Sequence, residues 1–386
     1  MQEFWDVLII GAGPAGGIAA FDCAKKGLSV LLVEQRKFPR WKVCGCCFNN
    51  QAQGILNSLK LDQLVIDCEG TPLQSLRLGL QGREATVDLP GGFVLSRERF
   101  DQALIDAAVN AGAVAKFQTK AKVEAAQPGC RNVLLKDQCT GTVNHVKAGV
   151  VLVAAGLSQH CLSKTDSGKT KIQKHSRHGA GCITDDKDNH YPEGIIHMAI
   201  GRRGYVGLVR REDGLLNIAG AFDRNALAHT QGAAGATQEV LMQAGFPVPT
   251  TFNPRTRWQL TPALSRRSQV LAGERFLMMG DAAGYVEPFT GEGMAWALTA
   301  GAAVSPFVEE GLQNWSVDLE SRWEQTVQVQ IGRRQRICRS LSLLLRQPLP
   351  TKALFEIVRR SPTISAKIVS SLNEVKLPNL KGEQCL

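Results

Sequence analysis

The sequence predicts an α/β fold in its first part, an inserted antiparallel sheet of α+β type, and a C-terminal helical segment. Near the N-terminus, the apolar run VLII, an Ala-rich stretch and a second apolar run, SVLLV, predict strand, helix and strand in that order. From about Thr170 to Leu260, the runs GIIHMAIG, GYVGLVRREDG and LLNIAGAF are separated by turn residues, which predicts antiparallel strands. Beyond Gly301 the chain becomes helical and basic.

Length and composition fit a folded protein with more than one part. The chain has 386 residues, of which 44% are hydrophobic and 21% charged, and this excludes a disordered or fibrous protein. No apolar run of about 18 residues is present, so a membrane-spanning helix is not expected. The first residues lead almost at once into a strand, which argues against a signal peptide. We therefore expect a cytoplasmic protein.

Cysteine usage and charge narrow the class further. Eleven cysteines are scattered from Cys23 to Cys385, which fits reduced thiols better than a disulfide framework. The formal net charge is +10, and eight Lys or Arg residues but only one acid lie between Ile331 and Arg360. Interleaved with apolar residues, this pattern suits a membrane surface or a partner, but a solvated helix face packed on its own domain more often explains such a pattern. A nucleic-acid partner is not expected.

The first strand–helix–strand unit carries the spacing G-x-G-x-x-G at Gly11, Gly13 and Gly16, and its second strand ends at Glu34. In this Rossmann-like arrangement the first glycine permits a tight turn, the second lets the backbone approach a pyrophosphate, and the third allows close packing of helix on strand. The N-terminus of the helix favours phosphate, and Glu34 is placed to accept hydrogen bonds from ribose hydroxyls. An acid there disfavours a 2′-phosphate, so the ligand is FAD or NAD(H) rather than NADPH.

A second segment, RFLMMGDAAGYVEPFTGEGMAWALTAG, decides between these ligands. A strand runs into Gly280 and Asp281, then into the loop EPFTGEG, and an Ala-rich helix begins at Met294. A carboxylate can accept hydrogen bonds from a ribityl chain, and backbone N–H groups at a helix start can stabilise negative charge on a reduced flavin. The segment resembles the second flavin motif of the FAD-dependent hydroxylase and geranylgeranyl reductase superfamily, which implies FAD as the cofactor.

Two further segments support the resemblance. The stretch FVLSRERFDQALIDAAVNAGA is similar to the superfamily segment in which an Arg before a helix contacts the cofactor, and the match places that residue at Arg97. The segment KVCGCC is similar to the Lys-x-Cys-Gly segment of geranylgeranyl reductase-like flavoproteins, which implies that Cys44, Gly45 and Cys47 lie along the flavin. The cofactor-binding residues so implied are Gly11, Gly13, Pro14, Ala15, Gly16, Glu34, Gln35, Cys44, Gly45, Arg97, Val123, Gly280, Asp281, Pro288, Gly291, Gly293 and Met294.

The cysteine cluster has several interpretations, which stay open. Cys44 and Cys47 form C-x-x-C, but no second C-x-x-C and no H-x-x-x-H accompany them, so we expect no metal site. Dithiol chemistry, buried inert thiols, and a catalytic part for Cys44 and Cys47 beside the flavin are the alternatives. By the alternation of an extended segment, Cys46 is expected to point away from Cys44.

The implied domains are an FAD-binding domain at 1–170 and 261–310, a substrate-binding sheet at 171–260 and a helical segment at 311–386. Two departures from the family's motifs bear on function. Ala155-Gly156 stands where aromatic hydroxylases carry Asp-Gly, which weakens direct reduction by NADPH and favours a ferredoxin-like donor or a substrate that acts as the reductant. The electron donor, NAD(P)H or a ferredoxin-like protein, stays open. Tyr205 is kept from the Tyr-x-Trp-x-Phe-Pro motif of isoprenoid-lipid reductases, but the other positions differ.

These observations predict an FAD-dependent oxidoreductase. We expect hydride transfer between flavin and a hydrophobic lipid-like, isoprenoid or polyketide-type substrate, by alkene reduction or desaturation. The alternative is a flavin-dependent monooxygenase of an aromatic or polyketide substrate, with halogenation less favoured because the Trp-x-Trp-x-Ile-Pro motif is missing. Peripheral membrane contact through the basic C-terminal stretch would give access to a lipid-like substrate.

Overall fold

The structure, a computed structural model, describes residues 3–157, 161–163, 166, 170–230, 232–252, 256–287, 289, 291–361, 365 and 369. The strands are β1 Phe4–Ile10, β2 Val30–Val33, β3 Cys47–Phe48, β4 Thr71–Pro72, β5 Ser75–Leu80, β6 Arg83–Asp88, β7 Phe93–Val94, β8 Val114–Lys116, β9 Thr119–Gln127, β10 Cys130–Asp137, β11 Val143–Val153, β12 Thr170–Ile172, β13 His178–Thr184, β14 Ile195–Gly201, β15 Gly204–Arg210, β16 Leu216–Phe222, β17 Gln259–Ala263, β18 Arg266–Ser268, β19 Ala272–Gly273, β20 Phe276–Met278 and β21 Gly284–Tyr285. The helices are α1 Pro14–Lys25, α2 Asn50–Ser58, α3 Leu64–Asp67, α4 Arg97–Asn110, α5 Arg224–His229, α6 Ala233–Ala244, α7 Gly293–Ala303, α8 Ser305–Gln313, α9 Val317–Val327, α10 Arg333–Leu344 and α11 Pro348–Arg360.

The larger sheet forms the nucleotide-binding half predicted from the sequence. Five parallel strands lie in the order β20, β11, β1, β2 and β8, and β9, β10 and β19 extend the sheet in antiparallel pairs. Its central strand β1 is almost fully apolar and buried because parallel strands are covered on both faces. Helix α1 follows β1 and packs against α4 and α7, so segments from three regions of the chain meet at one end of the sheet.

The second sheet has seven strands in the order β17, β13, β16, β15, β14, β5 and β6. All of its neighbouring pairs are antiparallel except β14 and β5, which run parallel. The antiparallel sheet was predicted for residues 171–260, yet β5 and β6 enter it from residues 75–88. This long-range pairing leaves no trace in local sequence, because β5 and β6 read as an ordinary hairpin.

The C-terminal helices pack against both sheets. Trp323 of α9 is fully buried, and its indole N–H donates to the Met278 carbonyl at the end of β20 with a distance of 3.0 Å. Leu345 and Phe355, at the end of α10 and in α11, are buried in an apolar cluster with Leu80 of β5 and Ile200 of β14. The helical segment therefore covers the second sheet beside the loop that precedes α7.

Helix starts follow simple capping chemistry. The Ser96 hydroxyl accepts from the Arg99 N–H at the start of α4, and the Ser316 hydroxyl accepts from the Leu319 N–H at the start of α9. By contrast, α1 begins after Gly13 with no side-chain cap and with Pro14 in its first turn. Its first N–H groups therefore remain available to a ligand. Within the described ranges, no helix is long and apolar enough to span a bilayer.

Candidate active site

The turn between β1 and α1 is built by glycine. Gly11 has φ +107°, and a Cβ there would lie 2.3 Å from the Ala154 carbonyl oxygen of the neighbouring strand β11. A Cβ on Gly16 would lie only 1.8 Å from the Gly11 carbonyl oxygen, so helix and turn can approach only without it. Gly13 and Ala15 stand at the start of α1 with Pro14. The predicted dinucleotide turn is thus present.

Glu34 closes this turn from the end of β2. Its carboxylate is buried, accepting from the Ala12 N–H at 3.1 Å and from the Arg36 N–H at 2.9 Å. These bonds fix the Glu34 side chain at the turn. The carboxylate keeps further lone pairs that can accept hydrogen bonds from a ligand. Gln35 is exposed, and its carbonyl oxygen accepts from the Gln138 side chain.

Two guanidinium groups face Gly13, the buried one of Arg97 and the half-buried one of Arg40. A Cβ on Gly13 would lie 3.6 Å from Arg97 Nη2 and 3.9 Å from Arg40 Nη2. Arg97 is held by two hydrogen bonds to Asp101, while Arg40 Nη1 lies 3.6 Å from the same carboxylate and has no hydrogen-bond partner among the described residues. Burial lowers the pKa of Arg40, although Asp101 opposes this. Arg40 Nη2 also lies 3.6 Å from Glu34 Oε2. A glycine cradle, a helix N-terminus and a shielded guanidinium nitrogen without a hydrogen bond fit the pyrophosphate of FAD.

Sequence reasoning found Arg97 but missed Arg40 and Lys42. Lys42 Nζ lies 3.5 Å from Asp281 Oδ2, and it also lies 3.5 Å from where a Cβ on Gly156 would be. Both cations follow Glu34 within a short loop, and the run RWK was the available indication. They could not be assigned from it because a charged loop is usually solvated.

The second flavin segment meets the first through close backbone packing. Gly280 has φ +59°, and a Cβ there would lie 3.0 Å from the Ala15 Cβ of α1. Gly301 of α7 allows a similar approach, because a Cβ would lie 2.4 Å from the Ala15 carbonyl oxygen. Asp281 follows β20 and its side chain is partly exposed. The two predicted cofactor segments are thus brought together at one end of the larger sheet.

The loop before α7 lies against the cysteine cluster. A Cβ on Gly291 would lie 3.6 Å from the Cys47 Cβ, and a Cβ on Gly293 would lie 3.2 Å from the Tyr285 hydroxyl. Met294 is buried in the first turn of α7. Val123 is buried in β9, where its N–H donates to the Cys161 carbonyl at 2.7 Å. Pro288, another predicted cofactor contact, lies outside the described residues.

Glu292, inside the TGEG stretch, anchors this loop to α10. It is buried, and it pairs with Arg334 Nη1 at 3.1 Å while the Cys338 thiol donates to its carboxylate at 3.3 Å. Burial raises the pKa of Glu292, and Arg334 acts against this. The sequence did not reveal this link, because the partners come from a helix about forty residues later.

The cysteines are free thiols in different environments. Hydrogen bonding by the Cys46 thiol lowers the pKa of Cys44 to about 6; burial opposes this change and the charge of Arg97 supports it. Burial raises the pKa of Cys47 to about 12, and its thiol donates to the Gly45 carbonyl at 3.1 Å. The described cysteines form no disulfide.

Cys46 does not point away from Cys44 as expected. The expectation misapplied the alternation, because residues two positions apart in an extended segment share one face. The Cys46 φ of +57° also takes the backbone out of the extended conformation at this point. The Cys46 thiol is fully buried and acts on Cys44. The Cys44 carbonyl also accepts from the Asn217 side chain of β16 at 2.9 Å, which ties the cysteine segment to the second sheet. No group of three or more metal-ligating side chains occurs in the part of the chain that the structure describes.

The second sheet supplies an apolar wall next to the loop before α7. Tyr205 of β15 is buried edge-on to Phe289 with ring centroids 5.0 Å apart, and the Arg177 guanidinium lies 5.5 Å above the Tyr205 ring. Met198 of β14 joins the same apolar cluster. Tyr205 is the position retained from the Tyr-x-Trp-x-Phe-Pro motif. Its ring therefore lies beside the loop before α7, which is predicted to hold the flavin.

The chain is similar to known FAD-dependent proteins. The family model "FAD dependent oxidoreductase" matches residues 6–39. The digeranylgeranylglycerophospholipid reductase of Methanosarcina acetivorans is 26% identical over 352 residues, covering 84% of this chain and 82% of the relative. The menaquinone reductase of Mycobacterium tuberculosis is 26% identical over 400 residues, covering 95% of this chain and 91% of the relative.

Two solved structures show the same fold. A geranylgeranyl bacteriochlorophyll reductase-like protein from Thermoplasma acidophilum superimposes with TM-score 0.79 at 20% identity, covering 98% of each chain. The p-nitrophenol 4-monooxygenase of Pseudomonas putida superimposes with TM-score 0.77 at 14% identity, covering 98% of this chain and 100% of the other. With the glycine turn and the second flavin segment in place, the cofactor is FAD. The chain is an FAD-dependent oxidoreductase related to the geranylgeranyl reductases and to menaquinone reductase.

Proposed function

We propose that the protein transfers hydride between its flavin and a carbon centre of a hydrophobic, isoprenoid or lipid-like substrate, reducing an alkene or catalysing the reverse desaturation. The observation that carries the proposal is the meeting of Cys47 and Gly291, with Cys44 beside them and an apolar wall of the second sheet close by. Likeness over most of their length to reductases named for isoprenoid lipids and menaquinone supports the same reaction class.

Each part of the site has a separate task. The flavin, when bound, supplies the two-electron chemistry. Gly13, Arg40 and Arg97 would hold its pyrophosphate, and Glu34 and Asp281 would accept hydrogen bonds from its hydroxyl groups. The Glu292 ion pair with Arg334 holds the loop before α7 in place, and the buried ring of Tyr205 helps to exclude water.

Cys44 is the candidate for proton transfer. A thiol with a pKa of about 6 is mostly thiolate at neutral pH, so it serves as a proton donor below that pKa and as a proton acceptor above it. Cys46 and Arg97 stabilise the thiolate, which makes them positioning residues for this step. Cys47, with a pKa raised to about 12, stays protonated and packs against the loop.

We also propose peripheral contact with the cytoplasmic face of a membrane. Leu343 on α10 and Leu349 and Ile357 on α11 are exposed among the arginines of this segment. Apolar side chains can enter the lipid interface while the cations meet anionic head groups. Each Lys or Arg near the surface contributes about 1 kcal/mol to the binding free energy. Such contact would deliver a lipid-like substrate to the second sheet.

The test is single turnover without oxygen. Holoprotein reduced with dithionite is mixed anaerobically with geranylgeraniol, and mass spectrometry follows the gain of two hydrogens per double bond, in parallel with flavin absorbance. Reoxidation of the flavin with hydrogenated product supports the proposal, and addition of NADPH or reduced ferredoxin in place of dithionite identifies the donor. Product that appears only with oxygen, carrying an oxygen atom, would support a monooxygenase, which the likeness to p-nitrophenol 4-monooxygenase keeps as the second candidate.

A further inference from the structure

A small pocket lies against α10. It has a volume of about 170 Å³ and is lined by Lys174, His175, Glu287, Arg339, Ser342 and Arg346, with apolar neighbours. None of the residues that face Gly13 lines it, so the pocket is separate from the place of the FAD pyrophosphate.

The charges around the pocket favour an anion. Three permanent cations, Lys174, Arg339 and Arg346, face it, against one carboxylate, Glu287. The charge of Glu287 is taken up by the fully buried Arg177, whose Nη1 lies 2.9 Å from Glu287 Oε1. Arg346 is neutralised in part by Asp223 at 2.8 Å. The pocket therefore keeps a positive balance from Lys174 and Arg339.

Arg339 carries the clearest indication. Its Nε is shielded from solvent, yet it has no hydrogen-bond partner among the described residues. A buried guanidinium N–H without a partner is costly, and native proteins usually satisfy such a group with water or a ligand. The planar donors of arginine suit phosphate oxygens, which can accept two bonds from one guanidinium.

We propose that this pocket is a binding site for a phosphate-type anion, with Arg339 as its central ligand and Lys174 and Arg346 as flanking cations. The cavity has room for a few water molecules at about 30 Å³ each, which suits a phosphate group. Leu343, half-exposed, lines one side, so a phosphate that carries an apolar chain can leave the chain along α10. This anion site does not depend on which reaction the flavin catalyses.

Calorimetric titration of the FAD-loaded protein tests the site, because FAD then fills the pyrophosphate position. The probes are inorganic phosphate, farnesyl phosphate and farnesol. The variant is Arg339→Gln, which removes a cation that has no ion pair with any described residue, so the fold should stay intact. The matched control is Arg336→Gln, an exposed arginine on the same helix that does not line the pocket.

We expect farnesyl phosphate to bind, and Arg339→Gln to weaken its binding about tenfold or more, as for loss of a charged hydrogen bond. Arg336→Gln should bind like the wild type. Binding of inorganic phosphate with the same loss would assign the site to free phosphate chemistry, whereas binding of farnesyl phosphate alone would assign it to a lipid head group. Absence of binding by both phosphates, equal effects of the two variants, or equal binding of farnesol would overturn the proposal. Flavin reoxidation by a neutral alkene, measured on the same samples, reports separately on the reaction.

Discussion

Arg97 and Asp101 form a two-point ion pair one turn apart on α4, with Nε to Oδ1 at 2.8 Å and Nη2 to Oδ2 at 2.7 Å. Both side chains are buried. Asp101 raises the pKa of Arg97 even though burial acts to lower it, so the guanidinium stays charged beside Gly13. The pair thus orients a cation toward the place where the sequence predicts the FAD pyrophosphate.

Replacing Arg97 with Gln should lower the free energy of unfolding by about 3–5 kcal/mol, because Asp101 is left buried without its main partner. The measurement is urea denaturation at neutral pH. Arg322→Gln, which breaks partly exposed pairs with Asp318 and Glu310, should cost about 1 kcal/mol or less per pair. Similar decreases in the free energy of unfolding in the two variants would contradict the larger contribution to stability expected of the buried Arg97–Asp101 pair.

Glu34→Ala should weaken FAD binding by about 1.5–3 kcal/mol if its carboxylate accepts a ribose hydroxyl. Fluorescence titration of the apoprotein with FAD measures this. Lys37→Ala, an exposed neighbour in the same loop, serves as the control and should bind FAD like the wild type. Unchanged affinity in Glu34→Ala would place the carboxylate away from the adenosine ribose and leave it a purely structural role at the Ala12 turn.

Gly45→Ala tests whether the flavin lies along the cysteine segment, because it should change FAD binding without changing the packing of the apoprotein. A Cβ on Gly45 meets nothing within 4 Å, so the apoprotein should unfold like the wild type. If the flavin lies along this segment, the methyl group should cost about 1–3 kcal/mol of FAD affinity through overpacking. The two readouts are thermal unfolding of the apoprotein and FAD titration. Normal FAD affinity together with normal turnover would show that the ring lies elsewhere.

The pH dependence of turnover should report the Cys44 thiol. With a pKa of about 6, the thiol is protonated below pH 6, so alkene reduction that uses it as proton donor should slow as pH rises through 6. Desaturation that uses the thiolate as base should accelerate over the same range. Cys44→Ser should keep FAD but lose this pH step, since a serine hydroxyl does not titrate there.

Controls at the neighbouring cysteines sharpen the result. Cys46→Ser should shift the step, because the Cys46 thiol lowers the Cys44 pKa, whereas Cys47→Ser should keep it. If Cys44 and Cys47 instead worked as a redox pair, both serine variants would abolish turnover, and the oxidised protein would have two fewer free thiols. A wild-type pH profile in Cys44→Ser would leave inert packing as the role of this residue.

Sedimentation with vesicles tests the membrane contact. Wild-type protein should co-sediment with phosphatidylglycerol vesicles at low salt, and Leu349→Glu should weaken this, since burying a leucine is worth about 1.5–3 kcal/mol. Met242→Glu changes an equally exposed apolar residue on α6 and should bind vesicles like the wild type. If Met242→Glu weakens binding as much as Leu349→Glu, or the wild type stays in solution, a solvated helix face is the better interpretation of α10 and α11.

The sequence by itself determined the parts of this protein that depend on local backbone. The turn at Gly11 and Gly16 has no room for a Cβ at either position. Only glycine fits there, so the residue types and their spacing predict the turn. Glu34 follows from the same unit, because the end of β2 must lie beside the turn. The motif around Gly280 and Asp281 was readable for the same reason, and FAD follows from the two segments together.

Only the tertiary structure decided which distant groups meet. Arg40, an ordinary loop arginine in sequence, is half-buried beside Asp101 of α4; Glu292 finds its partners on α10; and Cys44 is held by Asn217 of β16. Neither the positive φ of Cys46 nor the joining of β5 and β6 to a sheet formed mostly by later residues has a signal in the local sequence. Such contacts bring together groups far apart in the chain, and burial then sets their charge states, which local sequence patterns do not encode.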